Sequence, residues 1–176
     1  MIAEEHIHNL SSAANDPVEF AKYLGCVLPQ RYKNELRKLS KGSLFVQRNN
    51  TKMAITVSVV YCLWLCFMKN KVCTIVADES IDVISELHAY RDKLKSSDMY
   101  HLMPKNGNVY VCKLNDYHLR GRSLDAICLI GNGNKRDIEA CMFSLIPTVI
   151  TSGSSGRLYC VNTTVIRPKM VVTQHD

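Results

Sequence analysis

The sequence lacks several features that would set a chain apart from ordinary globular proteins. It has no internal repeat and no low-complexity tract, and the segment from Met1 to Leu10 has neither the basic n-region nor the apolar h-region of a signal peptide. None of its 8 cysteines belongs to a Cys-x-x-Cys pair. Because the cysteines lie within apolar runs, we expect buried free thiols in a reducing compartment and no zinc site.

The composition is that of a folded globular chain. Hydrophobic residues make up 47% and charged residues 22% of the 176 positions, which excludes a disordered chain, a collagen-like repeat and a coiled-coil rod. At this length we expect one domain over residues 1–176, with a core at 16–162 and an extended tail at 163–176. The most apolar stretch, Met53 to Met68, is shorter than the ~20 residues that a bilayer requires, so we expect a buried helix and no membrane span.

Helix-like and strand-like segments alternate along the chain. Val72 to Ala77 and Ala126 to Ile130 are continuous apolar runs, typical of strands covered on both faces. Asp16-Pro17 predicts a helix start, and Ser80 predicts the cap of a helix that reaches about Leu94. Further strands are predicted at Ser43 to Gln47, Val109 to Leu114, Thr148 to Thr151 and Leu158 to Val161, and further helices from Pro29, from about Lys52 and from Arg136 to Ser144. The alternation predicts an α/β fold, a mostly parallel sheet with helices on both faces.

Three polar segments follow predicted strands. They are Arg48 to Lys52, Gly131 to Asn134 and Ser152 to Gly156. Ligands of parallel sheets bind beyond the carboxyl ends of the strands. The three segments therefore predict one edge of the sheet as the place of a nucleotide site.

These segments carry a resemblance to a known family. Arg48-Asn49-Asn50-Thr51-Lys52-Met53 lies at a strand–helix junction, Arg120-Gly121 precedes the apolar strand that ends in Gly131-Asn132, and Thr151-Ser152-Gly153-Ser154-Ser155-Gly156 comes one strand later. In this order they resemble the ATPase domain of the large terminase subunit, the DNA-packaging motor of tailed phages and herpesviruses. That family has Arg-x-x-Gly-Lys-Thr as its Walker A variant and Asp-Glu at the end of its Walker B strand. The resemblance covers about Val18 to Val161 and implies a viral protein with a P-loop NTPase-like fold of the terminase ATPase type.

The resemblance assigns nucleotide-binding positions, and the residues there depart from the family. Thr51 stands where the family has the glycine before Lys52, and Met53 replaces the hydroxyl that would bind Mg²⁺, which a thioether binds poorly. Gly131 and Asn132 replace the two Walker B carboxylates, and Asp125 lies at the opposite end of that strand. The positions in question are Arg48, Asn49, Asn50, Thr51 and Lys52 for Walker A, and Gly131 and Asn132 for Walker B. We therefore expect no catalytic residue, no metal site and no bound cofactor; ATP with Mg²⁺ is the ligand that a retained site would take.

The departures favour binding over catalysis. We expect a catalytically inactive terminase-like ATPase domain that serves as a binding, assembly or regulatory module in DNA packaging, inside the infected host cell. Its partner would be a viral or host protein such as an active terminase subunit, with no membrane involved. No acidic cluster for the family's nuclease chemistry follows Arg167, so we expect no DNA cleavage.

Two other functions remain open from the sequence. The first is a weak NTPase that uses Lys52, Arg48 and carboxylates supplied by another chain. The second is a DNA-binding module, because the net charge is +6, from 22 Lys and Arg against 16 Asp and Glu. The residues predicted to neutralise phosphates in that case are Lys33, Arg37, Lys38, Lys41 and Arg122.

Overall fold

A single sheet of parallel strands organises the protein. The computed structural model describes residues 10–47, 50–95, 106–114, 124–131 and 157–162. The strands are β1 (Leu44–Gln47), β2 (Val72–Ala77), β3 (Asn108–Lys113), β4 (Ala126–Gly131) and β5 (Arg157–Asn162). Their order is β1-β5-β4-β2-β3, and every neighbouring pair is parallel. The predicted α/β class with a parallel sheet is therefore confirmed.

The described helices are α1 (Pro17–Tyr23), α2 (Gln30–Leu39), α3 (Thr51–Lys69) and α4 (Ile84–Lys95), and residues 10–15 are also helical. Helix α1 starts as predicted, since Asp16 Oδ1 accepts a hydrogen bond from the Val18 N–H at 2.8 Å and Pro17 occupies the first turn. The prediction that Ser80 caps the next helix was wrong. Ser80 lies in a turn held by Asp78, and Asp82 accepts the hydrogen bonds at the start of α4.

Helix α3 lies in the centre of the structure. Every residue from Ala54 to Cys66 is buried, because α3 packs on β2, β3 and β4 on one side and on α1, α2 and α4 on the others. The Trp64 indole N–H donates to the Ala13 carbonyl at 3.0 Å, and the Tyr61 hydroxyl donates to the Leu39 carbonyl at 3.0 Å.

By length and composition alone, α3 could cross a membrane. It has 19 residues, which corrects the expectation that the apolar stretch is too short. However, 72% of its most apolar window is buried inside the fold. Such burial is typical of a core helix. It distinguishes α3 from a membrane-spanning helix, which length alone does not.

Side chains on the two faces of the sheet pack into two different apolar clusters. The helices contribute side chains to the cluster that contains Ile75, Cys128 and Tyr159. The other cluster contains side chains of the opposite face, such as Val76 and Leu129, and none from the described helices. The prediction of helices on both faces is thus confirmed for one face of the sheet. The helix predicted from Arg136 to Ser144 and the tail at 163–176 lie outside the described residues.

Candidate functional site

The carboxyl ends of three strands meet at one edge of the sheet. Gln47 at the end of β1 pairs with Asn162 at the end of β5, and Asn162 pairs with Gly131 at the end of β4. Strand β5 thus separates β1 from β4, which puts their ends two strand spacings apart, or about 10 Å. The predicted Walker A and Walker B positions therefore follow strands that end at the same edge.

The third polar segment precedes a described strand in the sequence. The chain passes from Ser152–Gly156 directly into β5, which begins at Arg157. The described chain resumes at Arg157, the amino end of β5, which is at the edge opposite the carboxyl ends of β1 and β4. The strand predicted at Thr148 to Thr151, like the segment itself, lies outside the described residues.

The Walker A positions form the start of α3. Asn50 is the N-cap, and its Oδ1 accepts a hydrogen bond from the Met53 N–H at 3.0 Å. Thr51 is the first helical residue and is half-buried, whereas Lys52 is exposed. Arg48 and Asn49 lie outside the described residues. One of the free N–H groups of the helix start, which in a P-loop would face phosphate, thus already has an acceptor.

The Walker B positions offer no described carboxylate. Gly131 is the buried last residue of β4, and Asn132 lies outside the described residues. Asp125 is at the amino end of β4, as expected: its Oδ1 lies 3.0 Å from Lys71 Nζ, and its Oδ2 accepts from the Val72 N–H at 2.9 Å. Asp125 therefore joins β4 to β2 and cannot serve the opposite edge.

Sequence reasoning missed Asp78, which directly follows β2. Its N–H donates to the Ile130 carbonyl at 3.1 Å, so Asp78 extends the ladder between β2 and β4 beside Gly131. Its Oδ1 accepts from the N–H and hydroxyl of Ser80 at 3.3 and 3.4 Å. An Asp after a predicted strand was visible in the sequence. The adjacency of β2 and β4, which brings it to the Walker B position, was not.

A second carboxylate lies close to the start of α3. The Thr56 hydroxyl contacts Glu86 Oε1 in the first turn of α4 and also lies 3.0 Å from the Lys52 carbonyl oxygen. Farther along α4, Tyr90 forms a hydrogen bond with Cys26 of the loop after α1; burial raises the pKa of the Cys26 thiol, and this hydrogen bond lowers it. The contact between Thr56 and Glu86 links the starts of the two helices that border the candidate site.

The described basic residues among those predicted to bind DNA lie on α2 or directly after it. Lys33, Arg37 and Lys38 are on α2, and Lys41 is in the turn that leads to the amino end of β1, so Lys41 lies toward the edge opposite Lys52. Arg37 is already paired, with its guanidinium 2.9 Å from Asp16 Oδ2. Arg122 lies outside the described residues. The structure therefore places three of the five on α2 and a fourth, Lys41, in the turn that follows this helix.

The chemistry of this edge is limited. Lys52 can attract an anion, but β4 ends without a carboxylate, and Asp78, which follows β2 beside Gly131, already accepts hydrogen bonds from Ser80. Among the described residues, no group of three or more His, Cys, Asp and Glu side chains is arranged to hold a metal ion.

No family, no curated protein and no solved structure matches this chain.

Proposed function

We propose that the protein is a catalytically inactive domain with a P-loop NTPase-like fold of the terminase ATPase type. In this proposal it acts as a binding, assembly or regulatory module of viral DNA packaging in the infected cell, with an active terminase subunit as its partner. The parallel sheet supports the proposal, as does the position of β1 and β4, whose carboxyl ends share one edge about 10 Å apart.

The observation that carries the proposal is the cap of α3. A phosphate-binding loop needs open backbone N–H groups, a hydroxyl ligand for Mg²⁺ and a carboxylate at the Walker B strand. Here the Asn50 side chain occupies the Met53 N–H, Met53 brings a thioether, and Gly131 brings no side chain. Losing the metal ion together with the general base removes several kcal/mol of transition-state stabilisation, so hydrolysis would fall by many orders of magnitude.

Phosphate release in the presence of Mg²⁺-ATP, with and without DNA, tests the loss of catalysis. We expect wild type and Lys52→Ala to release phosphate at the same background rate, with an active packaging ATPase measured in parallel as the reference. Turnover by the wild type that Lys52→Ala abolishes would contradict the proposal. In that event, phosphate release by Asp78→Asn would test whether the carboxylate that follows β2 contributes to the activity of a weak NTPase.

The assembly role has its own test. The protein and an active large terminase subunit are sedimented separately and together, without nucleotide. We expect them to sediment as a complex, because a module that has lost nucleotide chemistry would bind independently of nucleotide. Separate sedimentation, together with an unchanged ATP turnover of the active subunit, would reject this role.

A second candidate function is DNA binding, favoured by the charge on α2. The helix exposes Arg31 and Lys38, and its one acidic residue, Glu35, is only 4% exposed. We expect Lys38→Ala/Lys41→Ala to weaken binding to duplex DNA and to reduce the slope of log affinity against log salt by about 2. Lys95→Ala on α4 is the matched control and should leave the slope unchanged. Binding that is absent at low salt would exclude this function.

A further inference from the structure

An Asn-Gly pair precedes strand β3. Asn106 is exposed and Gly107 is half-buried in the turn that leads into Asn108. Asn-Gly pairs are chemically labile, because the Gly backbone nitrogen can attack Cγ of the Asn side chain without obstruction from a following side chain. The attack expels ammonia and forms a succinimide, and water then opens this ring to aspartate or isoaspartate.

The side chain of Asn70 holds both N–H groups of this pair. Asn70 Oδ1 accepts from the Asn106 N–H at 3.0 Å and from the Gly107 N–H at 3.0 Å. Asn70 itself ends α3 in the left-handed conformation, with φ of 53° and its N–H bonded to the Leu65 carbonyl. The turn is therefore fixed to the C-terminal end of the central helix.

We propose that Asn106 is a site of spontaneous deamidation and that Asn70 controls its rate by holding the attacking nitrogen. The Gly107 nitrogen must lose its proton and rotate toward Asn106 Cγ before the N–Cγ bond can form. The hydrogen bond to Asn70 Oδ1 opposes both steps. One ammonia leaves on ring closure, and one water is consumed on ring opening, so no oxidant or other reagent is needed. The inference is independent of the proposed function.

The reaction would change the entry into β3. It places a negative charge beside Asn108, whose N–H donates to the Lys71 carbonyl at 3.3 Å and which pairs with Val72. The isoaspartate product also lengthens the backbone by one carbon before the strand. Asn70 thus protects the register of β3 against β2.

Two substitutions of Asn70 separate its acceptor from its backbone role. Asn70→Gly keeps a residue that accepts the left-handed conformation but removes Oδ1, whereas Asn70→Asp keeps an oxygen acceptor. The proteins are incubated at mildly alkaline pH, and deamidation at Asn106 is followed by peptide mapping with mass spectrometry. We expect deamidation in Asn70→Gly to be roughly tenfold faster than in wild type, and Asn70→Asp to remain close to wild type.

The sequence supplies an internal control, the second Asn-Gly pair at Asn132-Gly133. Its rate should be the same in wild type and Asn70→Gly, because Asn70 precedes the amino end of β2, whereas the second pair follows Gly131 at the opposite, carboxyl end of β4. Asn106→Gln should abolish the signal assigned to Asn106. Equal rates at Asn106 in wild type and Asn70→Gly would overturn the inference. Equal acceleration at both pairs would overturn it too, since it would indicate general loosening.

Discussion

At the scale of single residues, the most consequential polar contact is in the core. Glu35 on α2 is 4% exposed, and the hydroxyl of the fully buried Tyr159 on β5 donates to its Oε1. A buried carboxylate needs hydrogen-bond donors to offset its lost hydration. This contact therefore fixes α2 to the sheet while its cations face outward.

Tyr159→Phe should destabilise the protein by about 1–3 kcal/mol, since it removes a donor from a buried carboxylate and leaves the packing almost unchanged. The free energy of unfolding is measured in urea. Tyr23→Phe on α1, at a half-buried tyrosine, is the control and should change it by less than about 0.5 kcal/mol. Equal effects of the two substitutions would show that the hydroxyl of Tyr159 contributes nothing specific.

At the scale of elements, the start of α3 is capped by the side chain of Asn50. Asn50→Ala leaves the Met53 N–H without its acceptor, so we expect a loss of about 1 kcal/mol in unfolding free energy. Asn50→Asp should retain stability, because a carboxylate caps equally well and interacts favourably with the helix dipole. Denaturant titration of both variants checks this; a stable Asn50→Ala would mean that the cap is dispensable.

The start of α4 predicts a pH-dependent contact. The pKa of Asp82 is lowered by hydrogen bonds from the Ser85 hydroxyl at 2.6 Å and the Ser85 N–H at 3.2 Å. The cap therefore stabilises α4 above the ordinary carboxyl range and is lost as pH falls through the lowered pKa of Asp82. In an NMR titration, Ser85→Ala should raise the pKa of Asp82 toward its ordinary value, and Ser80→Ala should not.

The sequence predicted the described strands and three of the four described helix starts to within one residue, and it missed the start of α4. Val72–Ala77 was predicted to the residue and β4 to within one, because short apolar runs between polar segments leave little freedom. For α4, Ser80 and Asp82 are both good caps. Packing favours Asp82, since Ile81 and Val83 are buried before the helix begins, whereas Ile84, the first helical residue, is 51% exposed.

The candidate site was predictable only in part. The order of elements located Asn50, Thr51 and Lys52 at a helix start and Gly131 at a strand end. The chain order could not show that β2 lies beside β4, because strand adjacency depends on long-range pairing. Asp78 was missed for that reason.

At the scale of the whole molecule, folding protects the cysteines. The seven described cysteines are free and buried, and Cys62 Sγ lies 3.5 Å from Cys128 Sγ. Burial raises the pKa of the Cys66 thiol to about 12 and that of Cys62 well above its usual range, so both stay protonated at neutral pH. The reactive thiolate form of Cys62 and Cys66 is therefore scarce in the native state.

In a Cys141→Ser background, which removes the one cysteine outside the described residues, a thiol-specific reagent should label the native protein very slowly. The same reagent should label seven thiols once the protein is unfolded. Rapid labelling of native protein with unchanged circular dichroism would show that the core opens easily.

The central position of α3 has a consequence for shortened chains. The acceptors of Trp64 and Tyr61 are carbonyls of Ala13 and Leu39, so a chain that starts at residue 40 would leave one side of this apolar helix uncovered. A helix of 19 mostly apolar residues, once uncovered, is long and apolar enough to insert into a lipid bilayer. We expect the shortened chain to float with lipid vesicles in a density gradient, while the full chain stays below them. The first helices would then keep α3 from contact with lipid.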